Sequence, residues 1–153
     1  MSIKELSIKA EQEVNTSVEE AFYFHADINN LTKVVPPFIK LQIEKMDWPF
    51  EEGAHAELSL KLFGVLQILY WKLKLTEYNA PNFFVDEETG GIFESFKHKH
   101  EFIKIEGESN KCLLKDSLSY APKGWMKVFY LIPFVPQVLL KVKLLITKSV
   151  LER

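Results

Sequence analysis

Two histidines and an aspartate occupy positions from which a pair of β-strands could bring them together. His98 and His100 are two residues apart, and Asp116 follows in a second segment of alternating polarity. Successive side chains of a strand point to opposite faces, so the two histidines share one face. An imidazole beside a carboxylate can act as a general base, because the carboxylate fixes its tautomer. The same spacing can offer two imidazoles to zinc, with Asp116 as a third ligand or as an orienting partner.

A long antiparallel hairpin, within residues 90–124, would have to position these groups. A three-residue loop, Gly107-Glu108-Ser109, would place His100 opposite Asp116. In that register Glu101 lies opposite Lys115 on the outer face, so charges and faces both match. The predicted inner face consists of Phe96, His98, His100 and Phe102 in one strand and Cys112, Leu114, Asp116, Leu118 and Tyr120 in the other.

Of the possible roles of the His/Asp group, a structural contact and a catalytic pair are weighed before a metal site. We favour a structural contact that also presents a polar end to a ligand, because a buried aspartate needs a partner. The alternative is an enzyme in which His100 and Asp116 are the catalytic candidates, although no nucleophile motif accompanies them. We expect neither a metal nor another cofactor, since the sequence has no CxxC pair, Gly-rich phosphate loop or dinucleotide fingerprint.

Composition limits the class of protein. The 153 residues are 47% hydrophobic and 13% aromatic, which suits one domain spanning 1–153 and argues against disorder. The formal net charge of −2 gives no case for a nucleic-acid partner. A single cysteine, Cys112, cannot form an internal disulfide, and the N-terminal residues have no apolar signal-peptide core. We therefore expect a cytoplasmic protein.

The remaining segments predict a simple order of elements. A strand at 4–14 precedes two short helices, which end before Pro36-Pro37. Further strands follow from residue 39 onward. Asp86-Glu87-Glu88 is predicted to be a solvated loop edge. His25 is interpreted as a surface or helix-end residue, and His55 is placed on a solvent-facing side.

The C-terminal segment predicts a helix that begins at Pro136 and is apolar on two sides. A wide face is expected to pack on the sheet, and it contains Val138, Leu139, Val142, Leu145 and Ile146. A narrow face is left for a partner or a membrane surface, and it contains Leu140, Leu144 and Leu151 between lysines. From Lys123 onward there are six basic residues and one acidic residue, a local balance of +5.

The motifs in this order resemble those of one superfamily. Asn15-Thr16-Ser17-Val18-Glu19-Glu20-Ala21-Phe22 is similar to its opening helix, and Asp116-Ser117-Leu118-Ser119-Tyr120-Ala121-Pro122-Lys123-Gly124 to its last strand. Leu31-Thr32 with Pro36-Pro37-Phe38, and the run from Ile92 to Phe102, also match. The chain thus resembles the START-like (SRPBCC) superfamily, in its bacterial cyclase/dehydrase-like, "cell-division-inhibitor"-like branch. Phe96 stands where that branch usually has Trp, and Ile92 where Pro is common.

The resemblance implies the α+β helix-grip fold. A seven-stranded curved antiparallel sheet would wrap around a long C-terminal helix, with two short helices after strand one and a cavity between the layers. It also implies that the domain binds, or transports, a hydrophobic small molecule such as a lipid or polyketide. The residues expected to line that site are Trp71, Leu73, Phe96, His98, His100, Phe102, Asp116, Leu118, Tyr120, Val142 and Ile146. A cyclase, dehydrase or hydrolase, and an interaction module that forms a homodimer or contacts a membrane through its C-terminal segment, are the alternatives.

Overall fold

The computed structural model describes residues 3–153, and its order of elements confirms the predicted α+β class. The seven strands are β1 (Leu6–Val14), β2 (Ile39–Met46), β3 (His55–Leu62), β4 (Leu66–Asn79), β5 (Phe83–Glu88), β6 (Phe93–Ile105) and β7 (Glu108–Pro122). The α-helices are α1 (Val18–Ala26), α2 (Leu31–Val34) and α3 (Phe134–Leu151), with 3₁₀ turns at Ile28–Asn30 and Gly124–Tyr130.

The strands form a single antiparallel sheet in the order β1-β7-β6-β5-β4-β3-β2. Each strand from β2 to β6 pairs with the next in sequence, and β1 pairs with β7 at the far edge. The helices lie over the face on which the apolar side chains of the strands alternate inward. The polar site described below is built on the central strands of that face.

A capping box fixes the start of α1. The Ser17 hydroxyl accepts from the Glu20 backbone N–H, and the Glu20 carboxylate accepts from the Ser17 N–H. The helix then buries Phe22 completely, with its ring edge-on to Phe102 at 5.3 Å between centroids. This contact holds α1 against β6, and thereby places His25 near the sheet.

The β6–β7 hairpin has the predicted register but a different turn. His100 lies opposite Asp116, Glu101 opposite Lys115 and Phe96 opposite Tyr120, as predicted. The loop is not Gly107-Glu108-Ser109: β6 ends at Ile105, β7 begins at Glu108, and the register shifts between Lys104 and Ile105. Gly107 has a φ of +80°, so it allows the tighter turn that this bulge completes.

The prediction for the faces of α3 was wrong. The narrow face is the inward one, because Leu140 and Leu144 are buried in the core and Leu151 packs against it. The wide face points outward: Val138 is 51% exposed and Leu145 56% exposed. Polar anchors fix this rotation. Lys143 bonds to the buried Asp116, and Gln137 and Lys148 donate to carbonyls of β1.

The helix also begins two residues earlier than predicted, at Phe134. Pro136 remains in its first turn, where a missing N–H removes no intrahelical bond. Within residues 3–153, no single helix is long and apolar enough to cross a membrane. The Gly124–Tyr130 and Phe134–Leu151 segments, bent by 90°, satisfy the length and composition criteria only as a pair.

Candidate functional site

A buried carboxylate on β7 is the centre of a polar cluster. Asp116 is 2% exposed. Its Oδ1 lies 3.1 Å from Nδ1 of His100 on β6, and its Oδ2 accepts a hydrogen bond of 2.7 Å from Nζ of Lys143 on α3. The predicted His100–Asp116 contact is therefore present. Lys143, which was interpreted only as a flanking charge, completes it from the helix.

Asp86 belongs to the same cluster, contrary to its prediction as a solvated loop edge. It is buried on β5, and its Oδ2 lies 3.0 Å from Nε2 of His100. Strand β5 continues to Glu88. The Glu88 carboxylate accepts hydrogen bonds from the N–H groups of Ile92 and Phe93, so the turn begins after Glu88 and not at Asp86. In the sequence, the spacing of Phe84 and Asp86 indicates that both lie on one face of a strand. The run of three acidic residues, Asp86-Glu87-Glu88, favoured a loop instead.

Neighbouring charges set the protonation of this cluster. Burial alone would raise the pKa of Asp116, but the charges of Lys143 and His100 outweigh it and hold that pKa well below its usual range. Burial would lower the pKa of His100, but the Asp116 charge and the two carboxylate hydrogen bonds raise it above its ordinary value. The cluster thus compensates two buried carboxylates with an ammonium and an imidazolium.

His98 lies beside this network without a hydrogen bond to it. Its ring is 3.8 Å from the His100 ring, centroid to centroid, and its Nε2 is 3.5 Å from Asp116 Oδ2. That nitrogen is buried and has no hydrogen-bond partner among the described residues. Burial and the adjacent His100 charge lower the pKa of His98, so its imidazole is the neutral member of the pair.

His25 was predicted to be a surface or helix-end residue; it does lie in the last turn of α1, but its ring packs against the sheet instead of facing solvent. It is partly buried at the end of α1, with its ring 5.0 Å from Phe102 and 6.4 Å from His100. Burial and the Lys143 charge lower its pKa to about 3. The neutral ring donates Nδ1–H to the Ala21 carbonyl at 2.7 Å, which leaves Nε2 as an acceptor. The Ala21–His25 spacing on the inner face of α1 was the available signal.

A cavity of about 60 Å³ opens between this cluster and the helical layer. Four polar side chains form one end of it: His25, Asp86, His100 and Lys143. The rest of its wall is mostly apolar and consists of Phe24, Ile28, Asn30, Leu31, Val34, Phe50, Leu73 and Phe84. Most of these residues come from α1 and the segment after it, which the sequence analysis did not include in the site.

The structure assembles only part of the predicted ligand-binding set. Leu73 and His100 line the cavity, and His98 and Asp116 lie behind it. Phe102 packs in the core beneath α1. A separate apolar cluster contains Trp71, Phe96, Leu118 and Tyr120. Val142 and Ile146 do not line the cavity, because α3 presents its other face to the sheet.

Comparison with other proteins identifies the fold. The sequence matches no protein-family model and no curated protein. Among solved structures, norcoclaurine synthase from Thalictrum flavum superposes with a TM-score of 0.71 at 16% identity, over 100% of this chain and 98% of that one. A protein from Thermus thermophilus superposes with a TM-score of 0.72 at 15% identity, over 95% and 97%. The same plant synthase in complex with dopamine and hydroxybenzaldehyde gives 0.65 at 18% identity, over 99% and 90%. The chain therefore has the helix-grip fold that the resemblance implied.

The depressed pKa of His25 predicts a specific acid sensitivity. Between pH 6.5 and about 3 the His25 imidazole is protonated in the unfolded chain and neutral in the folded protein. The free energy of unfolding should therefore fall as the pH falls, by up to about 1.4 kcal/mol per pH unit from this group. His25→Phe, which keeps a ring against Phe102, should remove that component in urea unfolding measured across this range.

The exposed His55 supplies the matched control. His55→Phe, which removes a histidine whose side chain is 53% exposed, should keep the slope of the wild type. Equal slopes for His25→Phe and the wild type would contradict the assignment of a neutral imidazole to folded His25.

Proposed function

We propose that residues 1–153 act as one START-like domain that binds a small molecule with an apolar body and one polar end. A single observation supports this: the apolar cavity wall ends at the His25/Asp86/His100/Lys143 group. Ligand sites typically combine a mostly apolar lining with a few convergent polar groups. The buried free Cys112 suits a reducing compartment, so the cytoplasm is the proposed location.

The polar end defines the chemistry of the ligand. The Lys143 ammonium uses one N–H for Asp116 and keeps two more donors. The His25 Nε2 is an acceptor, because Nδ1 carries the proton. A hydroxyl group can both accept from Lys143 and donate to His25. Lipid or polyketide molecules that carry a hydroxyl at one end of a hydrocarbon body therefore fit this proposal.

The size of the cavity adds a requirement. A volume of about 60 Å³ is below the about 300–1,000 Å³ of typical ligand pockets. A longer ligand must therefore displace part of the wall. The α2 helix is the element best suited to move, because it is four residues long and has no side-chain cap at its start. Movement of a short helix that covers the apolar end would also permit release, as a transport role requires.

An enzyme of the cyclase, dehydrase or hydrolase type is the alternative. The His100–Asp116 pair has the geometry of a base and its orienting carboxylate. However, Asp86 occupies the Nε2 position that a base would need, at 3.0 Å. The bound aromatic compounds of norcoclaurine synthase belong to that protein, whose identity to this chain supports a common fold alone. The geometry therefore favours binding over catalysis.

Calorimetric titration with unbranched primary alcohols, from hexanol to dodecanol, tests the binding proposal. Affinity should rise with chain length, because each methylene buries more apolar surface. Leu31→Trp fills the cavity wall and should weaken binding at least about tenfold. Ile103→Trp, on the outer face of β6, is the matched control and should bind as the wild type does.

Equal affinities for the Leu31→Trp and Ile103→Trp proteins would place the bound alcohol elsewhere and contradict the proposed pocket. Recovery of a chemically altered compound, instead of the alcohol itself, would favour the enzymatic alternative.

We further propose that the outer face of α3 contacts an anionic membrane surface. Large apolar side chains are exposed on α3, including Phe134 at 63% and Leu145 at 56%, and Leu131, at the end of the preceding 3₁₀ turn, is 82% exposed. The exposed lysines Lys123, Lys127 and Lys141 lie in the same stretch. An apolar face bordered by lysines is typical of helices that lie in the bilayer interface.

Vesicle co-sedimentation tests this contact. The wild type should bind phosphatidylglycerol-containing vesicles more strongly than pure phosphatidylcholine vesicles, and salt should weaken the binding. Leu145→Glu should reduce binding at least about tenfold. Leu66→Glu, which alters an equally exposed leucine on β4, should not.

A dimer through α3 is the competing explanation for the exposed face. If Leu145→Glu lowers the sedimentation mass and leaves vesicle binding unchanged, the membrane contact is wrong.

A further inference from the structure

We propose that Asp86, His98 and His100 bind a divalent transition-metal ion, either zinc or ferrous iron. One ligand atom from each of the three side chains lies within 4.8 Å of the other two. Asp86 comes from β5 and lies opposite His98, whereas His98 and His100 share one face of β6. The three groups are buried or partly buried on the inner side of the sheet. This inference goes beyond the binding of an apolar molecule.

The donor set suits such an ion. Two imidazoles and one carboxylate are ligands of catalytic zinc and of non-haem ferrous iron. Bonds of about 2.0–2.2 Å would place tetrahedral ligand atoms about 3.3 Å apart. The His100 Nε2 and Asp86 Oδ2 atoms are already 3.0 Å apart. The His98 ligand atom lies within 4.8 Å of the other two, so it must approach them by no more than about 1.5 Å.

Asp116 occupies the position of an orienting partner for this site. Its Oδ1 lies 3.1 Å from His100 Nδ1, so it holds a proton on that nitrogen, and the ion would displace the proton that Nε2 shares with Asp86 Oδ2. Its other oxygen accepts from Lys143 at 2.7 Å. This ion pair keeps Asp116 a carboxylate and removes it from competition for the metal. Asp116 is thus a positioning residue here, and Asp86 takes the place that the sequence analysis considered for Asp116.

His98 provides an independent observation. Its Nε2 is buried and has no hydrogen-bond partner within the described part of the chain. Buried polar atoms of this kind are rare in folded proteins and call for an explanation such as a bound ion or water. A metal ion held between His98 and His100 would satisfy this nitrogen directly.

An open coordination position would face the cavity. Asp86 and His100 line the cavity as well as the proposed metal site. Three protein ligands with one open position is the arrangement of catalytic zinc sites, and with more open positions that of ferrous sites. The metal could therefore receive the polar end of a bound molecule.

Titration of chelator-treated protein tests the site. Cobalt(II) replaces zinc and reports a tetrahedral His/carboxylate site through its visible absorption, which zinc should then remove by displacement. Calorimetry with zinc, and anaerobic titration with ferrous iron, should give one ion per chain for the preferred metal. Either metal at that stoichiometry supports the proposal, and their relative affinity identifies the natural class of ion.

Variants locate the bound ion. His98→Ala and Asp86→Ala should each weaken binding by at least about 100-fold, and Asp116→Asn by about 10–100-fold. His55→Ala removes an exposed histidine that pairs with Asp47, and it should bind the ion as the wild type does. In the wild type and in His55→Ala, the ion should also raise the midpoint of thermal unfolding.

The proposal is overturned if the wild type binds none of the three ions stoichiometrically, a result that does not depend on the folding of any variant. It is also overturned if folded His98→Ala, checked by its circular dichroism, binds as tightly as the wild type. Alcohol binding in the cavity can succeed or fail independently of either result.

Discussion

The buried carboxylate of Asp116 imposes the main constraint on this structure. It is almost wholly removed from water on an inner strand of the sheet, where an uncompensated charge would cost several kcal/mol. His100 compensates it from the neighbouring strand, and Lys143 does so from the C-terminal helix. The three residues are distant in sequence, so their contact links the register of the β6–β7 hairpin to the rotation of α3.

Two features of the surface follow from this link. Because Lys143 must reach Asp116, Leu140 and Leu144 turn inward and the wider apolar face of the helix remains outside. A small cavity lies beside the same contact, where Lys143 and His100 meet side chains of α1 and α2. The proposed ligand pocket, the proposed metal site and the proposed membrane contact therefore all depend on one orientation of α3.

Much of the fold could be predicted from the sequence, because local patterns determine it. The alternation of apolar and polar residues predicted the strands. The requirement that matching faces pair predicted that His100 lies opposite Asp116, as it does. The capping box at Ser17 likewise marked the start of α1. In each case the residues that carry the signal also form the contact.

The rest depended on tertiary contacts that no local pattern contains. Both faces of α3 are apolar, so periodicity could not show which one a buried ion pair would turn inward. Asp86 has the same local appearance as an exposed acidic residue until β5 pairs with β6 and brings it to His100. The Ala21–His25 spacing favours the inner face of α1, but the contact of His25 with the sheet forms only when Phe22 docks the helix. These misplaced residues are polar groups that a fold buries for a specific partner.

A double-mutant cycle on Asp116 and Lys143 tests the central claim most directly. Asp116→Asn and Lys143→Met should each lower the free energy of unfolding in urea by about 3–5 kcal/mol, because each leaves the other's charge buried without its partner. The double variant should be more stable than the sum of the single losses predicts, by at least about 1 kcal/mol. Additivity within about 0.5 kcal/mol would show that the two residues do not depend on each other, and would contradict the account.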